Sequence, residues 1–209
     1  MGIIKHLQWR YATQKFDTSK KIGEDKMAVI KEAFNLTATS YGLQPVTLLV
    51  IRDEQVKKEL QVHAYNQSQV GECSDLLVFC VPSGYNEQFI HDYFKLVADI
   101  RNIPGKELDS YKRFLVKVFG EMSTDEVLLW AVKQAYLVMG NVLTVCAIEG
   151  IDACPMEGFK PDAFDEALQL ADKNLKSVLI MPIGYRAEDD TYAAMKKVRK
   201  HINDSVIDI

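Results

Sequence analysis

A long helical segment with almost no charge, from Ser123 to Gly150, constrains the fold more than any other part of the sequence. Ser123 and Glu126 have the spacing of a capping box, and Gly150 provides a stop signal at the other end. Between residues 127 and 147 the only charged side chain is Lys133, and apolar side chains fall on every face. Such a helix is either surrounded by protein or spans a membrane.

Polar residues inside the segment decide between these two environments. Lys133, Gln134 and Asn141 suit a lipid-exposed span poorly, and the rest of the chain is mixed in charge. We therefore interpret the segment as a central helix, either buried within one protomer or shared with a second copy of the chain.

Composition is typical of one globular domain that covers residues 1–209. Hydrophobic residues make up 48% of the chain, which is enough for a sizeable core. A formal net charge of -4 argues against a general nucleic-acid binder. The four cysteines have no CxxC spacing and the four histidines no metal-ligand spacing, so we interpret the cysteines as core residues and expect no metal site. Because the first residues lack a long apolar segment, we expect a cytoplasmic protein.

Helical and extended patterns alternate along the chain. Helices are predicted at residues 24–38, from residue 53 onward, and at 86–101, 107–119 and 162–171. Apolar strands are predicted at 47–51, 76–81 and 177–183, and residues 205–209 have the composition of a β-prone tail. The predicted class is α+β, rich in helix and with few strands.

Three short stretches carry polar chemistry. If the segment Trp9–Asp17 is extended, it presents Arg10, Ala12 and Gln14 on one side. Residues 39–45 form a hydroxyl-rich turn between a helix and a strand. The basic cluster at 196–200 fits a solvated face or a small nucleic-acid patch.

Common catalytic and nucleotide-binding motifs are missing from the sequence. It contains neither a GxGxxG nor a GxxxxGK[ST] pattern, and no GxSxG. If the protein is an enzyme, its chemistry is therefore expected to belong to a bound cofactor.

Taken together, six motifs resemble the flavin-dependent nitroreductase family along almost the whole chain. They are Arg10-x-Ala12-Thr13 before Phe16-Asp17, Ser40-x-x-x-Gln44-Pro45, residues 65–69, Lys133-Gln134-Ala135-Tyr136 with Gly140-Asn141, residues 155–159, and Lys197-x-Arg199. The resemblance implies a nitroreductase-like FMN-binding fold with a small mixed or antiparallel sheet. It also implies a homodimer around the long central helices, two FMN molecules in the interface, and a C-terminal tail at about 203–209 that contacts the partner.

By position, the resemblance also implies which residues contact FMN. These are Arg10, Ala12, Gln14, Thr39, Ser40, Gly42, Asn66, Gln69, Pro155, Met156, Glu157, Gly158, Lys197 and Arg199. The three cations would hold the phosphate, and the hydroxyl-rich turn would reach the same flavin from the other subunit. Asn66 and Gln69 would bond the pyrimidine edge, where amides match alternating carbonyl and N–H groups. The backbone N–H groups of Glu157 and Gly158 would face N5, and the preceding Pro-Met pair would pack against the ring.

Several positions depart from the family pattern. Gln14 stands where the motif commonly has Lys, and Gln69 where some members have Lys. Gly42 replaces an Asn, and Val46 replaces an aromatic residue. FMN binding tolerates such changes more easily than redox tuning does.

The expected activity is that of an NAD(P)H oxidoreductase that reduces nitroaromatics, quinones or similar acceptors by ping-pong hydride transfer through flavin N5. No side chain is expected to act as acid or base. Residues 86–122, an excursion near the substrate entrance of the family, match poorly, so the sequence predicts no particular substrate. Two alternatives stay open. One is a different flavin chemistry on the same fold, such as reductive removal of a ring substituent; the other is a flavin-binding protein without turnover.

Overall fold

An antiparallel sheet of four strands lies at the centre of the computed structural model, which describes residues 2–84 and 86–209. The strands are β1 (Thr47–Ile51), β2 (Asp75–Pro82), β3 (Asp152–Ala153) and β4 (Leu175–Gly184). Their spatial order is β1-β2-β4-β3, and every neighbouring pair is antiparallel. The predicted strands are thus confirmed, whereas the two-residue strand β3 was too short to be recognised by its pattern.

Helices surround this sheet. They are α1 (Ile3–Trp9), α2 (Glu24–Asn35), α3 (Glu54–His63), α4 (Ser68–Glu72), α5 (Glu87–Arg101), α6 (Asp109–Gly120), α7 (Thr124–Ile148) and α8 (Pro161–Ala167). The predicted helices are all present, but α1 and α4 were missed. Helix α2 ends three residues before the predicted boundary, since the Thr37 hydroxyl and the Asn141 amide both bond the Ala33 carbonyl there.

Two apolar clusters cover the two faces of the sheet. Because side chains alternate along a strand, Leu77 and Phe79 of β2 point into a cluster with α2 and α7. Leu76 and Val78 point the other way, into a cluster with residues of α3, α4 and α8. All four cysteines are buried and free, as expected of core residues.

Helix α7 forms one wall of the first cluster. Its capping box between Ser123 and Glu126 is confirmed. Gly150 ends it in a left-handed conformation (φ 67°), with its amide and the next one donating to carbonyls of the last turn. By length and hydropathy alone α7 could cross a membrane, and 44% of its apolar window is buried inside the protein. Its packing on the sheet and on α2 supports the interpretation as a central helix.

Residues 86–122 form a helix pair, α5 and α6, that packs on a third cluster with the start of α7. This cluster contains Ile90, Phe94, Leu115, Phe119 and Val127. The pair therefore stands partly apart from the sheet, at the place where the sequence matches the family least.

The C-terminal arm, residues 195–209, corrects one prediction. Its last five residues form no strand in the part of the chain that the structure describes. The prediction was wrong because β propensity needs a neighbouring strand to pair with, and every residue from 191 to 209 is exposed.

Candidate functional site

A cleft of about 400 Å³ lies between the segment after α1 and the chain that follows β4. Arg10, Ala12, Gln14, Lys197 and Arg199 line it together. The motifs assigned these five residues, from the two ends of the chain, to one site, and the structure brings them together. The predicted extended segment begins at Arg10, because Trp9 is the last residue of α1.

The three cations of the cleft lie close to one another, and no anionic side chain of the described residues pairs with them. Lys197 Nζ donates to the backbone carbonyl of Arg10. The pKa of Arg10 is lowered by burial and then by the charge of Arg199. Burial and both arginines lower the pKa of Lys197 in the same way. A bound dianion would reverse this repulsion, because it would give each cation a charge-assisted partner.

A buried donor in the cleft is also left without a partner. The Nε atom of Arg10 makes no hydrogen bond within the described residues. Buried donors of this kind are costly unless something satisfies them. The cations and this donor together fit a phosphate group.

Arg186 stacks on two aromatic rings and holds the segment that begins at Arg10 against the sheet. The Arg186 guanidinium lies 4.4 Å from the Trp9 ring centre and 4.6 Å from that of Tyr11. Its Nε donates to the buried Asp152 carboxylate at 2.8 Å, and its backbone amide donates to the other oxygen at 2.9 Å. Ala12 forms a bridge with Ala153, next to Asp152 on β3. The backbone segment that carries Arg10 is therefore held in place. The sequence pattern gave no indication of a role for Arg186 or Asp152.

Two amide side chains and a thiol meet at Gln14, which is the only one of the three residues in the described lining of the cleft. Gln14 Nε2 donates to the Ala12 carbonyl at 2.9 Å and lies 3.9 Å from Cys154 Sγ. Gln69, which is 6% exposed, donates to Gln14 Oε1 at 3.5 Å. Burial raises the pKa of the Cys154 thiol to about 11, against the opposing influence of Gln69 and Arg10. Gln14 and Gln69 are thus neighbours, and Cys154, a buried core residue, lies next to Gln14.

The loop of residues 155–159 follows Cys154 directly in the sequence. Met156 pairs through its backbone with Ile180 of β4, and its side chain is buried in the cluster beneath. The amides of Glu157 and Gly158 donate to no protein acceptor in the described part of the chain. Gln67 Nε2 donates to the Gly158 carbonyl at 2.7 Å, which ties this loop to the start of α4, between Asn66 and the helical residue Gln69. Two backbone donors are therefore available to a ligand, and the contact of Pro155 and Met156 with a ring stays a prediction.

The hydroxyl-rich turn lies apart from the cleft in the same protomer. Its backbone is left-handed at Tyr41 (φ 60°) and Gly42 (φ 75°). Gln134 of α7 accepts the Ser40 amide at 2.9 Å, and Thr39 Oγ1 accepts the Gln44 amide at 2.9 Å. The expected contact of Thr39, Ser40 and Gly42 with a flavin held by the partner subunit remains a prediction.

Gly42 has a local reason to be glycine. A Cβ at this position would lie 2.5 Å from the Tyr93 hydroxyl of α5. Its positive φ is also costly for other residues. An Asn at this position would therefore displace the Tyr93 hydroxyl.

A cluster of three cations beside the neighbouring amides of Gln14 and Gln69, on an α+β fold, is suited to a phosphorylated cofactor with polar edges. Residues 7–185 match the sequence profile of the Nitroreductase family. The Major NAD(P)H-flavin oxidoreductase of Aliivibrio fischeri is 31% identical to this chain, over 98% of the chain and 97% of that protein. The chain therefore belongs to the Nitroreductase family, which confirms the resemblance seen in the motifs.

Solved structures confirm the fold. A Nitroreductase Family Protein from Streptococcus pneumoniae superposes with a TM-score of 0.84 at 19% identity and covers 100% of both chains. A protein from Exiguobacterium sibiricum, determined in complex with FMN, superposes with a TM-score of 0.84 at 22% identity, covering 99% of this chain and 97% of that one.

Proposed function

We propose that the protein is an FMN-dependent NAD(P)H oxidoreductase that reduces nitroaromatics, quinones or similar acceptors in a ping-pong sequence. Family membership and the NAD(P)H-flavin oxidoreductase relative support flavin-dependent NAD(P)H oxidoreduction. The observation that carries the assignment of the cofactor site is the unpaired cluster of Arg10, Lys197 and Arg199 beside Gln14 and Gln69, within the residues that the structure describes. When bound, FMN would supply the hydride-transfer chemistry at N5 that connects NAD(P)H with the acceptor.

The residues of this chain divide the work of holding the cofactor. Arg10, Lys197 and Arg199 would neutralise the phosphate, which would give the buried Nε of Arg10 a partner. Gln69 and Asn66 would bond the pyrimidine edge. The amides of Glu157 and Gly158 would donate to the ring and orient it. Solvent supplies the protons.

We also propose that the working unit is a homodimer in the cytoplasm. Apolar side chains are exposed along the C-terminal arm and on the outer face of α7. They are Met195, Val198, Ile202, Val206, Ile207 and Ile209 on the arm, and Leu129, Leu137 and Ile148 on the helix. Exposed apolar surface of this extent is typical of an interface. A second copy of the chain would cover it and would bring the turn of Thr39, Ser40 and Gly42 to the flavin.

Anaerobic mixing tests the activity. Protein loaded with FMN is mixed with NADH or NADPH, and the absorbance of the oxidised flavin is followed. We expect rapid bleaching, then return of the colour when a quinone or nitroaromatic is added after the pyridine nucleotide is used up. Persistent colour with both nucleotides would favour a flavin-binding protein without turnover. Bleaching that no such acceptor reverses would favour a different flavin chemistry.

A further inference from the structure

One buried carboxylate next to the cleft gathers an unusual number of donors. Asp190 is 5% exposed. Its Oδ2 accepts hydrogen bonds from the Tyr11 hydroxyl at 2.8 Å and from the backbone N–H of Gln14 at 3.0 Å. The same oxygen accepts the Lys15 amide at 3.3 Å. Oδ1 accepts the Tyr192 amide at 3.1 Å. These hydrogen bonds lower the pKa of Asp190 against the opposing effect of burial.

The donors come from two segments that are far apart in sequence. Tyr11, Gln14 and Lys15 belong to the extended segment that begins at Arg10. Tyr192 lies in the short turn that leads to Lys197 and Arg199. Asp190 therefore joins the two halves of the cation cleft, mainly through their backbones, while it is not itself part of the cleft lining.

We infer that Asp190 is a positioning residue for the cofactor phosphate, because it fixes the distance between Arg10 and the pair Lys197 and Arg199. This inference rests on the proposed FMN site. The three cations repel one another, so a separate force must hold their segments together before the phosphate arrives. Three of the four hydrogen bonds that Asp190 accepts come from the segment that begins at Arg10 and provide that force, since charge-assisted bonds are the strong ones.

An amide cannot replace this carboxylate. In Asp190→Asn the side chain would have one acceptor oxygen in place of two, so its NH₂ group would face either the Tyr192 N–H or the three donors around Oδ2. Asp189 offers a matched control: it is exposed and pairs with the Lys15 ammonium. Asp189→Asn removes the same charge one residue away without touching the cleft.

The test compares FMN with riboflavin, which lacks the phosphate. Dissociation constants of both are measured by flavin fluorescence for the wild type, Asp190→Asn, Asp189→Asn and Arg199→Ala, and the ratio of the two constants reports the phosphate contact alone. We expect Asp190→Asn to weaken FMN binding about tenfold more than it weakens riboflavin binding, because riboflavin keeps the ring contacts and lacks the phosphate. Asp189→Asn should leave both constants near the wild-type values.

Two results would overturn the inference. One is a wild-type ratio in Asp190→Asn while Arg199→Ala lowers the preference for FMN; the other is an equal loss of both flavins, which would mean general destabilisation. A wild-type ratio in Arg199→Ala would instead overturn the phosphate site itself.

If Asp190→Asn does not fold, Tyr11→Phe decides: it removes one bond to Asp190 and keeps the ring on Arg186. Its FMN binding should weaken a few-fold more than its riboflavin binding, and an unchanged ratio would contradict the inference.

Discussion

The segment of residues 10–15 and the C-terminal arm both carry cations of the cleft, but they are held in opposite ways. The first is fixed within the protomer by Asp152, Arg186 and Asp190. The arm is exposed along its whole length and makes few contacts with its own protomer, among them the bond from Lys197 to the Arg10 carbonyl. One side of the cleft is thus fixed by contacts within the protomer. The other side belongs to the arm, whose apolar side chains are exposed to solvent in the protomer.

This difference predicts where each kind of change acts. Substitutions around residues 10–15 should affect the stability of the protomer. Substitutions in the arm should affect flavin binding and association while the protomer stays folded.

Deletion of residues 196–209 should have the largest effect. It removes Lys197 and Arg199, and two charge-assisted contacts correspond to about 3 to 6 kcal/mol of binding, a hundredfold or more in affinity. Circular dichroism of the apoprotein should be unchanged, because the lost residues are all exposed. A truncated protein that unfolds would show that the arm belongs to the core of the protomer.

Arg186→Ala should act on stability instead. The Asp152 carboxylate, 4% exposed, would lose its cation, and breaking a buried pair costs about 3 kcal/mol or more. Lys15→Ala is the control, because its pair with Asp189 is exposed and such pairs contribute little to stability. Urea unfolding of the apoproteins measures both. Equal losses in the two variants would contradict the contrast between the two regions.

Arg199→Ala should leave a folded protein that purifies largely without colour. Loss of one charge-assisted contact corresponds to about 1.5 to 3 kcal/mol, or roughly ten- to a hundredfold in affinity for FMN. Fluorescence titration of the apoprotein with FMN measures it. Wild-type affinity would remove Arg199 from the site.

Gln14→Lys should have the smallest effect, on redox potential. Gln14 lies in the lining of the cleft next to Gln69, and a cation there favours the more negative, reduced form of the flavin. A contribution of about 1 to 2 kcal/mol would raise the midpoint potential by a few tens of millivolts, since about 30 mV corresponds to 1.4 kcal/mol for two electrons. Spectroelectrochemical titration measures it. Lys15 does not supply this charge in the wild type, because it pairs outward with Asp189. An unchanged or lowered potential would mean that the side chain does not face the reduced flavin.

Much of the fold could be predicted because the signals are local. The cap at Ser123, the stop at Gly150 and the apolar runs of β2 and β4 are each readable from neighbouring residues. Helix α1 could not be recognised, because it has only seven residues and no capping side chain, so its sequence is too short for a periodic pattern to be distinguished.

The site divides in the same way. Arg10, Gln14, Lys197 and Arg199 were found because they stand in motifs. Asp152, Arg186 and Asp190 were missed, since their importance comes from contacts between residues far apart in sequence, 34 positions for Asp152 with Arg186 and 179 for Tyr11 with Asp190. A lone carboxylate in an acidic chain carries no sequence signal for such a role.

Sedimentation velocity of the intact protein loaded with FMN shows whether the arm completes a flavin site shared by two protomers. Absorbance is recorded in both the protein band and the flavin band. We expect all flavin to sediment with a dimer, and deletion of residues 205–209 to shift protein to the monomer and flavin to the free fraction together. A stable monomer of the intact chain that carries its flavin would contradict a shared site.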